Sequence, residues 1–297
     1  MLNAIPFSTS IQIREFTEAI EAMAQDTNFS ASLDAGLSGA TRVYFIVGDP
    51  IAQVRSPSGV TAALRAAGRD AIVIPAHVAP DDLDAFFAGI GRLQNCDGVI
   101  ITVPHKFSAT TYCKSLTDEG AFLGAVNMLK RNADGTWHGG ASDGIGMVAA
   151  LRDAGCEPTA KRALLIGAGG AGSAIGHALV DAGVASLAIR DFDATRTGAL
   201  ASRLAALGRG AVSVADDSPA ETYDLIVNAS PAGMRPGDPL PIDVSNLPST
   251  TFVGDVVTKP PLTPFIEAAR ARGCTTVTGT QMFGRVCDAI VAYLLKD

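Results

Sequence analysis

An α/β fold of two domains, each built on a mostly parallel sheet covered by helices, is the architecture this sequence predicts. Three observations carry that prediction. Short runs rich in Val and Ile alternate with helical stretches in two successive series, the order that builds parallel sheets. The chain has 297 residues and is 47% apolar, enough for two domains with an extensive buried core. Glycine is abundant, at 31 residues, while aromatics make up only 6%, which suits tight strand–helix turns.

Residues 1–40 stand outside this alternation. Ile13, Phe16, Ile20 and Met23 have helical spacing with an acidic opposite face, and a polar, small-residue linker follows; this is an N-terminal extension. The first series then begins. "RVYFIVG" is a strand, "SPSGVTAALRAAG" a helix ending at Gly68, and "DAIVIPAHV" the next strand. "PDDLDAFFAGIGRL" is a helix opened by Pro80 and two aspartates. In "DGVIITVPHK" the run Val99–Val103 reads as a buried strand that Pro104 stops. A hairpin follows, "VNMLKR" and "TWHGG" around a turn at residues 132–135.

The second series opens with "RALLIGAGGAGSAIGHALVDAG", a strand, a glycine-rich turn and a helix. "ASLAIRDFD" is a strand, "TRTGALASRLAAL" a helix, and "YDLIVNASPAGM" a strand leading into a loop. "STTFVGDVV" (strand), "TPFIEAARARG" (helix), "CTTVTGT" (short strand) and "QMFGRVCDAIVAYLL" (helix) close the chain.

Composition excludes several roles. A formal charge of −7 argues against nucleic acid or an anionic membrane as a partner. Five cysteines without a C-x-x-C pair suggest reduced thiols and a cytoplasmic location. No apolar stretch approaches the roughly 20 residues of a membrane span. The four histidines lack metal-ligand spacing, so no metal is expected.

Gly167, Gly169 and Gly172 have G-x-G-x-x-G spacing between an apolar strand and an alanine-rich helix. This points to a dinucleotide site in which the turn Gly167, Ala168, Gly169, Gly170, Ala171, Gly172 approaches a pyrophosphate at the helix N-terminus. Asp191 stands about 20 residues on, where a carboxylate accepts hydrogen bonds from ribose hydroxyls and repels a 2′-phosphate. That favours NAD, with NADP the alternative because Arg190 is adjacent. Neighbouring strand side chains face opposite ways, so Asp191 and Arg190 are not expected to share the ribose.

Lys106 raises a separate question, because an ammonium at the mouth of a core strand is costly unless paired. Asn127 and Asp143 flank the hairpin, so their side chains can converge on one cleft. For Asp143 the plain alternative is a helix N-cap before "GIG".

The motifs "VGDPIAQVRSP", "DGVIITVPHK", "GAVNML", "ASDGIGM", "IGAGGAGSA", "NASPAGM" and "VGDVV" occur in an order that resembles the shikimate/quinate dehydrogenase family over roughly 250 residues. The resemblance implies two α/β domains flanking a cleft: a substrate domain at 41–142 completed by the C-terminal helix at 280–297, and a Rossmann NAD(P)-binding domain at 143–279. It implies reversible, nicotinamide-dependent oxidation of a ring secondary alcohol, with a small cyclic hydroxy acid as partner; a homodimer is compatible with it. Carried onto this sequence, Lys106 and Asp143 are the catalytic pair, and Ser56, Thr102 and Asn127 contact substrate. Asn228, Ser230 and Met234 join the cofactor-binding positions.

Departures from the family pattern fall on the substrate side. Val54 replaces a serine expected near the substrate carboxylate, and Ile100 and Ala141 replace asparagines. Thr258 replaces a tyrosine and Val286 a glutamine. Shikimate is therefore expected to be a poor substrate, unless Arg55, Lys259 or Arg285 supplies the missing carboxylate contact. Two other readings stay open, a nucleotide-binding regulator without catalysis and a methylenetetrahydrofolate dehydrogenase-like enzyme. Retention of both Lys106 and Asp143 weighs against the first, and the motifs around Asn127 and Asp143 against the second.

Overall fold

The computed structural model describes residues 36–216 and 218–296, so the helix expected around Ile13–Met23 lies outside the described residues. Strand β1 (Arg42–Gly48), helix α1 (Ser56–Ala66), β2 (Ala71–His77), helix α2 (Leu83–Ile90) and β3 (Cys96–Ile101) form the expected βαβαβ series. β1 lies between β2 and β3 and is parallel to both. Side chains alternate across this sheet, which is why both faces need apolar residues. Tyr44, Ile46 and Ile100 pack into one buried cluster with Val60 and Leu64 of α1. Val47, Val99 and Ile101 pack into another with Leu83 and Phe87 of α2.

The sheet continues with β4 (Cys113–Leu116), β5 (Met128–Arg131) and β6 (Trp137–Gly140), in the order β2-β1-β3-β5-β6-β4. β5 and β6 are the expected antiparallel hairpin, and β5 also pairs antiparallel with β3. β4 and the short helix α3 (Asp118–Leu123) are not among the sequence expectations. β4 has no apolar run, and α3 has only six residues, set by a cap at Thr117 and a left-handed Gly124.

Helix α4 (Asp143–Asp153) leads into β7 (Arg162–Ile166), α5 (Gly170–Asp181), β8 (Ser186–Arg190), α6 (Ala194–Ala205) and β9 (Ala211–Val214). Then come β10 (Leu225–Asn228), β11 (Phe252–Asp255), α7 (Pro264–Ala271), β12 (Thr275–Val277) and α8 (Gly279–Leu295). These six strands are all parallel, ordered β12-β11-β10-β7-β8-β9. This is the doubly wound dinucleotide-binding order, and the chain reverses direction between β7 and β10, where a crevice must open at the strands' C-terminal ends. β9, mostly exposed at the sheet edge, is the strand the apolar pattern does not reveal.

Two helices join the sheets. α4 packs on both α5 and α8, and α8 also packs on α1 and β5. α4 and α5 touch at Gly144, where any side-chain Cβ would run into the Ala174 backbone carbonyl. That close approach sets Asp143, the first residue of α4, beside the glycine turn.

Candidate active site

Lys106 lies in the turn after β3, which ends at Ile101, two residues earlier than the apolar run suggests. His105 is buried and its ring Nε2 meets the Val78 carbonyl at 2.8 Å, so the turn is anchored on one side and Lys106 leaves on the other. The Lys106 Nζ donates to Asp143 Oδ2 at 2.9 Å. Asp143 is not the helix cap: Ser142 occupies that position, and the Asp143 carboxylate is turned to its neighbours across the cleft. Its Oδ1 accepts from Asn127 Nδ2 at 3.0 Å. Asn127 is in turn held by Ser142, whose backbone N–H donates to Asn127 Oδ1 at 3.0 Å and whose hydroxyl accepts from Nδ2 at 2.9 Å. Three segments thus fix one carboxylate, and Lys106 and Asp143 are both only partly exposed, which strengthens their attraction over a surface pair.

These three side chains line a cleft of about 470 Å³ whose opposite wall is Ala168, Gly169, Gly170 and Ser173 of the glycine turn. Phe107, Leu123 and Val126 give it an apolar lining, and Ala141 stands where the family pattern has a polar residue. Arg196 and Arg203 of α6 also line it. Neither arginine carries a motif in the sequence; both sit on the helix that follows Asp191.

The glycine turn has the form a dinucleotide needs. A Cβ on Gly172 would collide with the Gly167 carbonyl, so the third glycine is required by close packing within the turn. At Gly169 and Gly170 a Cβ would meet nothing, leaving the backbone at the start of α5 open to an outside group. Ala168 lines the cleft and Ala171 follows in the first turn of α5. Asp191 Oδ2 accepts from the Ala168 N–H at 2.7 Å and Oδ1 from the Asp193 N–H at 3.0 Å. Each oxygen keeps capacity for another donor, such as a ribose hydroxyl. Arg190 donates to the Asp216 carbonyl at 3.0 Å and, contrary to the strand-alternation expectation, lines the same cleft as Asp191. Beside Asp191, Phe192 is 93% exposed on a second cleft of about 370 Å³, which Gly167, Ser230 and Pro239–Pro241 also line.

Asn228 is buried and its side chain is spent within the protein. It donates to Asp255 Oδ1 at 3.1 Å and accepts from Ser230 Oγ at 2.6 Å, shaping the loop that carries Ser230 rather than facing the cleft. Burial pushes the Asp255 carboxyl upward, while bonds from Thr263, Val257 and Asn228 pull it back. Met234 is 55% exposed on the same loop.

Ser56 begins α1 and Thr102 lies just after β3, with its methyl group against Gly48; neither lines the cleft around Lys106. Arg285 is committed to Asp153 and Asp288, which removes it as a carboxylate clamp. Arg55 and Lys259 are exposed. Val54 packs against the core and Val286 is buried against Gly146 of α4. Among the described residues no group of three or more His, Cys, Asp or Glu is placed to hold a metal ion.

Residues 46–129 match the family described as shikimate dehydrogenase substrate binding domain. A shikimate dehydrogenase (NADP(+)) of Rubrobacter xylanophilus is 36% identical over 251 residues, covering 83% of this chain and 88% of its own. The chain belongs to the shikimate dehydrogenase family. Among solved structures, the NAD complex of a quinate dehydrogenase from Corynebacterium glutamicum aligns with a TM-score of 0.77 at 29% identity, covering 86% of this chain and 94% of that one. A ligand-free 5-ketofructose reductase of a Gluconobacter strain aligns at 0.80 with 27% identity and the same coverage, 86% and 94%. The two-sheet, Rossmann-containing architecture is therefore that of shikimate dehydrogenases.

Proposed function

We propose that this chain is a nicotinamide-dependent dehydrogenase that interconverts a ring secondary alcohol and its ketone on a cyclic hydroxy acid related to shikimate or quinate. One observation carries the reading: the Lys106–Asp143 pair and the open glycine turn line the same cleft. The Lys106 amine accepts the hydroxyl proton in the oxidative direction and returns it in the reductive one. Asp143 compensates the ammonium that results, and Asn127, itself held by Ser142, bonds the Asp143 carboxylate directly. A nicotinamide held in this cleft would supply the hydride acceptor, or in reverse the donor, for the substrate carbon. Gly169, Gly170 and the start of α5 hold the pyrophosphate, and Asp191 the adenosine ribose.

NAD is the cofactor this arrangement favours, because Asp191 presents a carboxylate where a 2′-phosphate would sit, while the Arg190 guanidinium in the same cleft is bonded to the Asp216 carbonyl. NADP is the alternative, supported by the name of the Rubrobacter relative and by Arg196 in the first turn of α6. The working division assigns residues 41–142 with α8 to the substrate and residues 143–279 to the cofactor, in line with the packing of α8 on α1 and β5.

Ser56 and Thr102 are the remaining candidates for substrate contact, while Val54 and Val286 remove polar reach. A site that loses hydrogen-bond partners discriminates against ligands needing them. This favours a substrate other than shikimate, and the likeness to a reductase of a neutral keto-sugar supports a second reading, a polyhydroxy ketone without a carboxylate. Purified protein offered shikimate, quinate, their dehydro forms and 5-ketofructose, each with both cofactors, separates the readings. Turnover of a ring acid supports the first and turnover of 5-ketofructose alone the second. Tight nucleotide binding without any turnover points to a regulator.

A further inference from the structure

A second cavity, of about 350 Å³, shares no lining residue with the cleft around Lys106. Ile145 and Val148 of α4 and Ala178 of α5 give it apolar walls, and Ile145 is 46% exposed. Glu119 of α3 also lines it, although that residue is only 9% exposed. Its Oε1 is the one buried side-chain nitrogen or oxygen without a hydrogen-bond partner among the described residues. A buried carboxyl left unpaired is expensive, so a partner from outside the chain is the missing element. Packing keeps the acid in place. On the same helix, the Phe122 ring lies 4.8 Å from the His177 ring of α5 and 4.6 Å from the Arg203 guanidinium.

The charges around the cavity decide what that partner is. Asp181 is paired with Arg209 and faces His177 at 3.6 Å. Arg152 is paired with Glu157. These cations are committed, which leaves Glu119 without one among the described residues. We propose that the cavity binds a small organic ammonium, its charge on Glu119 and its carbon body against Ile145, Val148 and Ala178. A metal ion fits poorly, because no group of three or more His, Cys, Asp or Glu among the described residues is placed to hold one. An anion would meet the Glu119 and Asp181 carboxylates. Burial, with the nearby Asp143 and Asp181 carboxylates, pushes the Glu119 carboxyl up to about 8. An ammonium therefore displaces a proton from Glu119 at neutral pH, so its affinity rises with pH up to that value. Burial lowers His177 against the pull of Asp181 and Asp118, so His177 is largely neutral above pH 6.5 and adds little slope.

Calorimetry on the NAD-saturated protein tests this with cyclohexylammonium chloride and with cyclohexanol, a neutral compound of similar shape. At about pH 8.5 the ammonium is expected to bind at least about tenfold more tightly than the alcohol, the scale of one charge-assisted contact. Its affinity should fall by about tenfold per pH unit below about pH 8, because one proton is exchanged. Glu119→Gln, the neutral isostere, should cost the ammonium about tenfold or more at the same pH and leave cyclohexanol unchanged. Equal binding of the two compounds, a pH-independent ammonium affinity, or an unchanged ammonium affinity in folded Glu119→Gln overturns the proposal. So does the absence of saturable ammonium binding. The first two comparisons need only the wild-type protein, so they decide the matter if Glu119→Gln does not fold. None of these outcomes depends on turnover.

Discussion

At Lys106 one ammonium donor is committed to Asp143, and the others face a cleft that ends at the glycine turn. The chemistry at this scale depends on which charges stand where. Asp191 is the clearest case, because its carboxylate is anchored by two backbone N–H groups in the place proposed for the adenosine ribose. Asp191→Asn keeps an acceptor for the Ala168 N–H while removing the charge. The ratio of kcat/KM for NADP over NAD should rise in this variant, and a wild-type enzyme already preferring NADP would assign the discrimination to Arg196. Val54 makes a second test. Val54→Ser should lower the KM for shikimate by about 0.5–1.5 kcal/mol of binding if the hydroxyl finds the carboxylate, with kcat little changed because ground and transition states share that contact. A wild-type KM as low as that of ordinary shikimate dehydrogenases would show that the carboxylate is held another way. Residues with a motif around them were legible in the sequence in this sense. Ser142, Phe192, Arg196 and Glu119 were not, because their significance comes from neighbours distant in the chain.

Among the elements, those built on continuous apolar runs are the ones the sequence discloses, β1, β3, β7 and β10 above all. β4 and β9 escape because each lies at a sheet edge with half or more of its residues exposed, so no apolar run is needed. The reading of Asp143 as a helix cap fails for an instructive reason: Ser142 takes the cap position, which frees the carboxylate for Lys106 and Asn127. The α4–α5 crossing is what brings the pair to the glycine turn, and Gly144 permits it. Gly144→Ala should destabilise the protein by about 1–3 kcal/mol, the usual cost of overpacking against backbone, and should weaken turnover more than NAD binding. Equal melting temperatures for Gly144→Ala and wild type would mean that the helices separate without penalty and that the crossing does not position the site.

Across the whole molecule, two sheets and the helices α4 and α8 make one cleft, and the buried acid near their junction links folding to pH. The Glu119 carboxyl ionises near 4.5 when free and near 8 when folded. The folded state therefore holds a proton that the unfolded state has lost between those values, and stability contributed by this group falls as pH rises through that window. Glu119→Gln should flatten the decline, by an amount on the order of a few kcal/mol between about pH 5 and pH 8, measured by urea unfolding of both proteins. The central claim, however, is that Lys106 moves the proton while hydride passes to a nicotinamide bound in the same cleft. Its most direct test is Lys106→Ala, assayed with the best ring substrate found and with nucleotide affinity measured in parallel. The expected result is a kcat lower by about 10²–10⁴-fold with nucleotide binding preserved. Unaltered turnover in that variant would contradict the account.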